Sequence, residues 1–149
     1  VSLDSMDPQH YAQITRGGDV KRVIAGINAA RRAGLWPIKL NCVIQESPEE
    51  KDARSVAAFG RREGLDVRFI KRMNLATGVF SRVIGGSGGD CAQCNRLRLS
   101  CDGFVRPCLF SDMGFSVRLL GAETAICKAV QAKPRRGDIS TGTFNSIGG

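Results

Sequence analysis

No apolar run in the chain approaches the roughly 18 to 20 residues that a membrane span requires, so a transmembrane helix is excluded. No segment repeats and no block of like charge stands out. There is one histidine, His10, far in sequence from the paired cysteines, so no His-rich metal site can be drawn around them. The chain opens Val1-Ser2-Leu3-Asp4, with neither an initiator Met nor the basic and apolar regions of a signal peptide. The expectation is a cytoplasmic protein, or a piece of one.

What is present is ordinary for a folded protein. The 149 residues are 42% hydrophobic and 24% charged, which excludes a disordered tail, a collagen-like rod and a disulfide knot. The length fits one domain, or one domain with a small appendage. Lys and Arg number 22 against 14 Asp and Glu, a net charge of +8, and sixteen of the basic residues are Arg. Guanidinium suits bidentate capture of phosphate or carboxylate. The excess is shared equally, +4 in residues 1–80 and +4 in 81–149, which fits arginines around an anionic ligand better than a dedicated nucleic-acid patch.

Residues 1–73 read as alternating strand and helix. Val1-Ser2-Leu3-Asp4 is a first strand, followed by the turn and cap residues Ser5-Met6-Asp7-Pro8. Val20, Val23, Ile24, Ile27, Ala30 and Ala33 recur at helical spacing until Gly34. Ile38 to Ile44 is a strand, apolar apart from Lys39 and Asn41, and Ser47-Pro48-Glu49-Glu50 starts a second helix that runs to Gly64. Val67-Arg68-Phe69-Ile70 is the third strand. The order predicts βαβ units in a parallel α/β sheet, and three such strands are best explained as the second half of an α/β barrel, the alternative being a compact three-stranded domain.

From residue 74 the composition changes. Residues 74–90 read as a glycine-rich linker with a short strand at Arg82-Val83-Ile84, and 91–149 as a second domain. There Asp102-Gly103 predicts a two-residue hairpin turn that pairs Cys101 with Phe104 and Leu97 with Cys108. A helix is expected from Ala122 to Lys133, then a Gly/Ser/Thr-rich tail.

Cys91-Ala92-Gln93-Cys94, followed after thirteen residues by Cys108, is the most informative feature. In a cytosolic chain this spacing points to a metal or redox pair, and the hairpin brings Cys108 back toward Cys94. Cys101 could complete a Cys₄ zinc site but is carried away to the turn. Three thiolates without a fourth suit a four-iron four-sulfur (4Fe-4S) cluster with one open iron; spacing leaves both readings standing. Arg96 and Arg98 project together beside the metal, as an anion clamp or as an exposed hairpin face. Lys39 and Arg68 are likewise either ligand-binding or partnered core charges. Cys42 and Cys127 are expected to be buried small residues.

At these residues the chain resembles the GTP 3′,8-cyclase family, the MoaA-type radical S-adenosylmethionine (SAM) enzymes of molybdenum cofactor synthesis, in its C-terminal portion. The matching stretches are VSLDSMDP, PIKLNCVI, DVRFIKRM, CAQCNRLRLSCDG, RPCLF and the terminal IGG. The resemblance implies a partial radical SAM barrel followed by a cluster-binding domain. It implies that Cys91, Cys94 and Cys108 hold a 4Fe-4S cluster whose open iron receives the guanine of GTP. It further implies that Arg96, Leu97 and Arg98 lie in the GTP-contacting segment, that Lys39 and Arg68 reach the triphosphate, and that Ser2 and Met73 contact SAM. In the family a 5′-deoxyadenosyl radical abstracts the ribose C3′ hydrogen, and C3′ then attacks C8 of guanine. The implied partners are GTP, the missing N-terminal barrel half and the next enzyme of the molybdopterin pathway, with a homodimer allowed and neither membrane nor nucleic acid involved.

Three departures stand out. The family's Cys-x-x-x-Cys-x-x-Cys motif for the SAM-cleaving cluster does not occur in these residues, so this polypeptide by itself is expected to be inactive. The stretch between Met73 and Cys91 is shorter than in the family, which bears on GTP specificity, and Lys71 stands where the family has an acidic residue. The rival readings are a radical SAM relative with another substrate, a zinc-stabilised module that binds nucleic acid, and a short protein acting as a non-catalytic partner.

Overall fold

A computed structural model of the chain describes residues 1–73 and 81–138. They form a mixed α/β structure in two compact units, residues 1–73 with 81–89, and residues 90–138. The expected loop at 74–80 and the terminal IGG lie outside the described residues.

The first unit runs α1 (Pro8–Thr15), α2 (Val20–Arg32), β1 (Lys39–Ile44), α3 (Lys51–Glu63) and β2 (Asp66–Lys71). β1 and β2 are parallel, with Leu40 opposite Val67 and Asn41 opposite Arg68. The opening segment joins the other edge of β1 through one parallel bridge: Leu3 N–H donates to Asn41 O at 2.9 Å, and Asn41 N–H to Val1 O at 2.8 Å. At the far edge Phe69 and Ile84 exchange N–H···O bonds of 2.9 and 3.0 Å, antiparallel. The anticipated strand at 82–84 is thus a single bridge.

Alternation along β1 gives the sheet two different faces. Leu40, Cys42 and Ile44 are buried, while Lys39, Asn41 and Val43 are not. The apolar face packs with Leu3, Ile27 of α2, and Ala53, Val56 and Phe59 of α3 in one core. Each helix turns its regularly spaced apolar residues to that core, as the periodicity requires. Asp19 caps α2 by accepting from Lys21 N–H, Gly64 ends α3 at φ 65°, and Arg31 ties the helices together with a 3.0 Å bond to Glu63 Oε2.

Helix α1 is absent from the sequence expectation. Only Tyr11 of its eight residues is buried, so it carries no apolar stripe. Its signal is the cap: Asp7 Oδ1 accepts from Gln9 and His10 N–H at 2.9 and 3.0 Å, and Pro8 occupies the first turn.

The second unit begins with a 3₁₀ turn at Cys91–Gln93 and continues as β3 (Arg98–Leu99), β4 (Phe104–Arg106), β5 (Phe115–Ser116), α4 (Val117–Leu120) and α5 (Ala122–Gln131). The strands form an antiparallel sheet in the order β3-β4-β5. Val105 packs on Ala125 and Ala129, small residues one helical turn apart, with Leu97, Phe115 and Val117 around them. The elements β5 and α4 are too short to leave a pattern in the sequence.

Two expectations fail in this unit. The β3–β4 register is one residue off the anticipated one: Arg98 opposes Arg106 and Leu99 opposes Val105. Only Gly103 takes a positive φ, 85°, whereas a two-residue I′ turn needs one at Asp102 as well. The chain instead makes a three-residue loop, Cys101-Asp102-Gly103, closed by Ser100 N–H to Phe104 O at 3.0 Å. Cys127 is exposed rather than buried, because α5 spends its inner face on Ala125 and Ala129 and residue 127 lies on the opposite side.

Candidate functional site

The parallel register assembles a polar row on the open face of the first sheet. Ser2 pairs with Asn41, which pairs with Arg68, and Lys39 stands one step earlier on the same side. Ser2 is exposed and the other three are half-buried. A hydroxyl, an amide, an ammonium and a guanidinium on one face offer donors suited to phosphate oxygens. Among them Arg68 is the most constrained. Its Nε is buried without a hydrogen-bond partner, and a Cβ at Gly86 would come within 3.2 Å of that atom. The glycine-rich stretch, expected as a flexible approach, therefore lies against the Arg68 stem, where its lack of side chains makes room.

Met73 is half-buried just beyond β2, where Arg72 N–H donates to Ile44 O at 2.8 Å. The same ends of the parallel strands carry a network missed in the sequence. Asp52, in the first turn of α3, accepts from the buried Ser5 hydroxyl at 2.5 Å and contacts His10 Nδ1 at 2.7 Å, while Ser5 Oγ accepts from Asp7 N–H at 3.0 Å. The partners lie more than forty residues apart, so no local signal announces the network. Glu50 accepts from the N–H groups of Gln45, Glu46 and Ser47, which holds its carboxyl below the usual range. Lys71, the departure from the family pattern, is paired with Glu46 at 3.1 Å. Burial, then the charges of Asp4, Asp52 and Glu50, push the Cys42 thiol up to about 12, so it stays a neutral core group.

In the second unit Cys91 begins the 3₁₀ turn and Cys94 caps its end, with Cys94 N–H directed to Cys91 O at 3.4 Å. Cys108 follows β4 and Pro107, and Phe110 N–H points to its sulfur at 3.5 Å. All three are half-buried, Cys101 is exposed in the loop, and none of the six cysteines is in a disulfide. Among the described residues no group of three or more His, Cys, Asp or Glu lies close enough together to hold a metal ion. By donor type the three partly open thiols match a cluster or a zinc ion. Arg98 shares a face with Arg106, which donates to Ser111 O and Asp112 O at 3.2 Å each. Arg96 is exposed, and Leu97 turns its side chain to the Val105 core.

No helix among the described residues is long and apolar enough to cross a membrane. No protein-family model and no solved structure matches the chain. Curated proteins do. A GTP 3′,8-cyclase from Moorella thermoacetica is 30% identical over 207 aligned positions, covering all of this chain and 64% of that protein. One from Thermodesulfovibrio yellowstonii is 27% identical over 91% of this chain and 58% of its own length. One from Pseudomonas putida reaches 46% over 54% of this chain and 24% of its own length. The chain thus spans about three fifths of the first two relatives. The 207 aligned positions exceed the 149 residues here, so the Moorella protein carries stretches without a counterpart in this chain. Across its whole length this chain is similar to GTP 3′,8-cyclases.

Proposed function

We propose that the chain supplies the nucleotide-binding and cluster-binding part of a GTP 3′,8-cyclase-like radical SAM enzyme acting in molybdenum cofactor biosynthesis. The observation that carries this reading is the whole-length similarity to proteins of that name, joined to a Cys-x-x-Cys and a third cysteine set beside two arginines. In this reading residues 1–73 are the second half of a partial barrel, and its first half comes from outside these residues. GTP is the substrate, and the enzyme that takes up the cyclised nucleotide is the downstream partner.

Lys39 and Arg68 would hold the triphosphate, two cations on one sheet face with Asn41 directly beside Arg68. Ser2 and Met73 would contact SAM. Cys91, Cys94 and Cys108 would hold a 4Fe-4S cluster, with Arg96 and Arg98 offering guanidinium groups to the nucleotide. Leu97 would contact it through its main chain, since its side chain is committed to the core. With the SAM-cleaving cluster supplied from outside these residues, bound SAM would be the radical source, and a cluster held by Cys91, Cys94 and Cys108 would offer an iron to the guanine. The residues of this chain bind and orient; the hard chemistry belongs to the groups they hold.

The test is iron, sulfide and zinc content after strictly anaerobic reconstitution, followed by electron paramagnetic resonance of the reduced protein with and without GTP. About four irons per chain and a spectrum that GTP changes are expected. Cys108→Ala should abolish the cluster and Arg96→Ala should weaken GTP binding. One zinc and no iron would overturn the reading in favour of a zinc-stabilised module.

A further inference from the structure

Beyond α5 the chain passes each of the three cysteine-bearing stretches. Lys133 Nζ donates to Arg96 O at 2.7 Å and to Pro107 O at 2.8 Å. Arg96 lies two residues after Cys94, and Pro107 immediately precedes Cys108. Four residues further on, a Cβ at Gly137 would sit 3.0 Å from Cys91 Sγ.

These contacts matter because the sheet does not reach the cysteines. The β3–β4 ladder holds the pairs Arg98–Arg106 and Leu99–Val105, and neither Cys94 nor Cys108 is in it. An ammonium with three donors can bridge two carbonyls from different segments at once. Lys133 is itself anchored. Its N–H donates to Val130 O at the end of α5, and Ala125 and Ala129 seat that helix on Val105 of β4.

We propose that Lys133 is a positioning residue for the Cys91, Cys94 and Cys108 ligand set: its ammonium ties the Cys94 and Cys108 segments together, and Gly137 leaves the Cys91 sulfur room to join them. This rests on the reading of those three cysteines as metal ligands. Lys133 touches no ligand sulfur; it acts on the two main-chain segments that carry them. Partners of this kind typically change metal affinity by about 10- to 100-fold when removed.

The experiment compares wild type with Lys133→Met, Lys133→Arg and Lys128→Met, the last an exposed lysine on α5. Two quantities are read in full-length protein that retains wild-type circular dichroism. One is the rate at which a chelator removes iron after anaerobic reconstitution. The other, in metal-free protein, is the yield of the Cys94–Cys108 bridge formed by dibromobimane, which links thiols only when they are close, mapped by mass spectrometry. Lys133→Met should lose iron about 10- to 100-fold faster and form the bridge in several-fold lower yield. Lys133→Arg should restore both, and Lys128→Met should change neither. Wild-type values for Lys133→Met, or a folded Lys133→Arg that restores nothing, would overturn the proposal. A wild-type protein that binds no iron would defeat the cluster reading, while the bridge yield would still decide the role of Lys133. If Lys133→Met does not fold, Gly137→Val carries the test, since it leaves Lys133 in place and crowds Cys91. It should keep the Cys94–Cys108 bridge and lose iron faster; unchanged iron retention would count against the proposal.

Discussion

Leu40 and Val43 stand three residues apart on one strand and should differ sharply when cut to alanine. Leu40 is fully buried beneath α2 and α3, whereas Val43 lies on the opposite face and is 44% exposed. Leu40→Ala removes three buried carbons, about 2.4 kcal/mol at roughly 0.8 kcal/mol each. The cavity left in that core raises the cost to about 3–4 kcal/mol. Val43→Ala removes two half-exposed carbons and should cost under about 1 kcal/mol. Against a total stability of about 5–15 kcal/mol the first loss is severe and the second minor. Urea unfolding followed by Trp36 fluorescence is the assay. Trp36 is the only tryptophan, it belongs to the first unit, and Arg31 lies 5.6 Å over its ring. Equal losses for the two variants would refute the two-faced sheet, and with it the open polar face on which Lys39, Asn41 and Arg68 stand.

Cys42 should resist alkylation at about pH 9 in the native protein and react once urea unfolds it, because its thiol is pushed up to about 12. The unfolded chain releases that proton near the ordinary thiol value while the fold retains it, so stability should fall as pH rises through the interval from about 9 to about 12, and less so in Cys42→Ala. Glu50 acts in the opposite sense: the fold favours its carboxylate, so its contribution is present above the ordinary glutamate range and fades as pH falls through the lowered value. Acid unfolding of Glu50→Gln should therefore show a smaller dependence on pH than wild type. Gly85→Ala should destabilise the first unit by about 2 kcal/mol or more, since φ is 78° and the new methyl would lie 2.6 Å from Val67 O. Slower amide exchange at Phe69 and Ile84 in that variant would contradict the placement of the bridge.

Periodicity made α2, β1 and α3 legible because each buries a regular face that appears in the sequence as apolar spacing, whereas β2 is half-buried along nearly all its length and was read from its β-branched and aromatic residues. Val20, Ile27, Val56 and Phe59 sit where that spacing puts them. For the candidate site the sequence offered residue types and spacing. Lys39 and Asn41 interrupt an apolar strand, and the cysteines and arginines of the second unit announce themselves by spacing and by family resemblance. α1 was hidden because its one buried residue makes no stripe, and the hairpin register because one backbone angle at Asp102 decides between a two- and a three-residue loop.

The sequence alone therefore determined the local elements, the residue types available for chemistry and the family to which they point, all properties of neighbours along the chain. Tertiary structure decided which of them meet. Asn41 faces Arg68 only through the parallel register, Gly86 shelters the Arg68 stem only because residues 81–89 fold back on β2, and Lys133 reaches Arg96 and Pro107 across 37 and 26 residues. Hydrogen bonds and close contacts of that span arise from packing, whose geometry no short stretch of sequence contains.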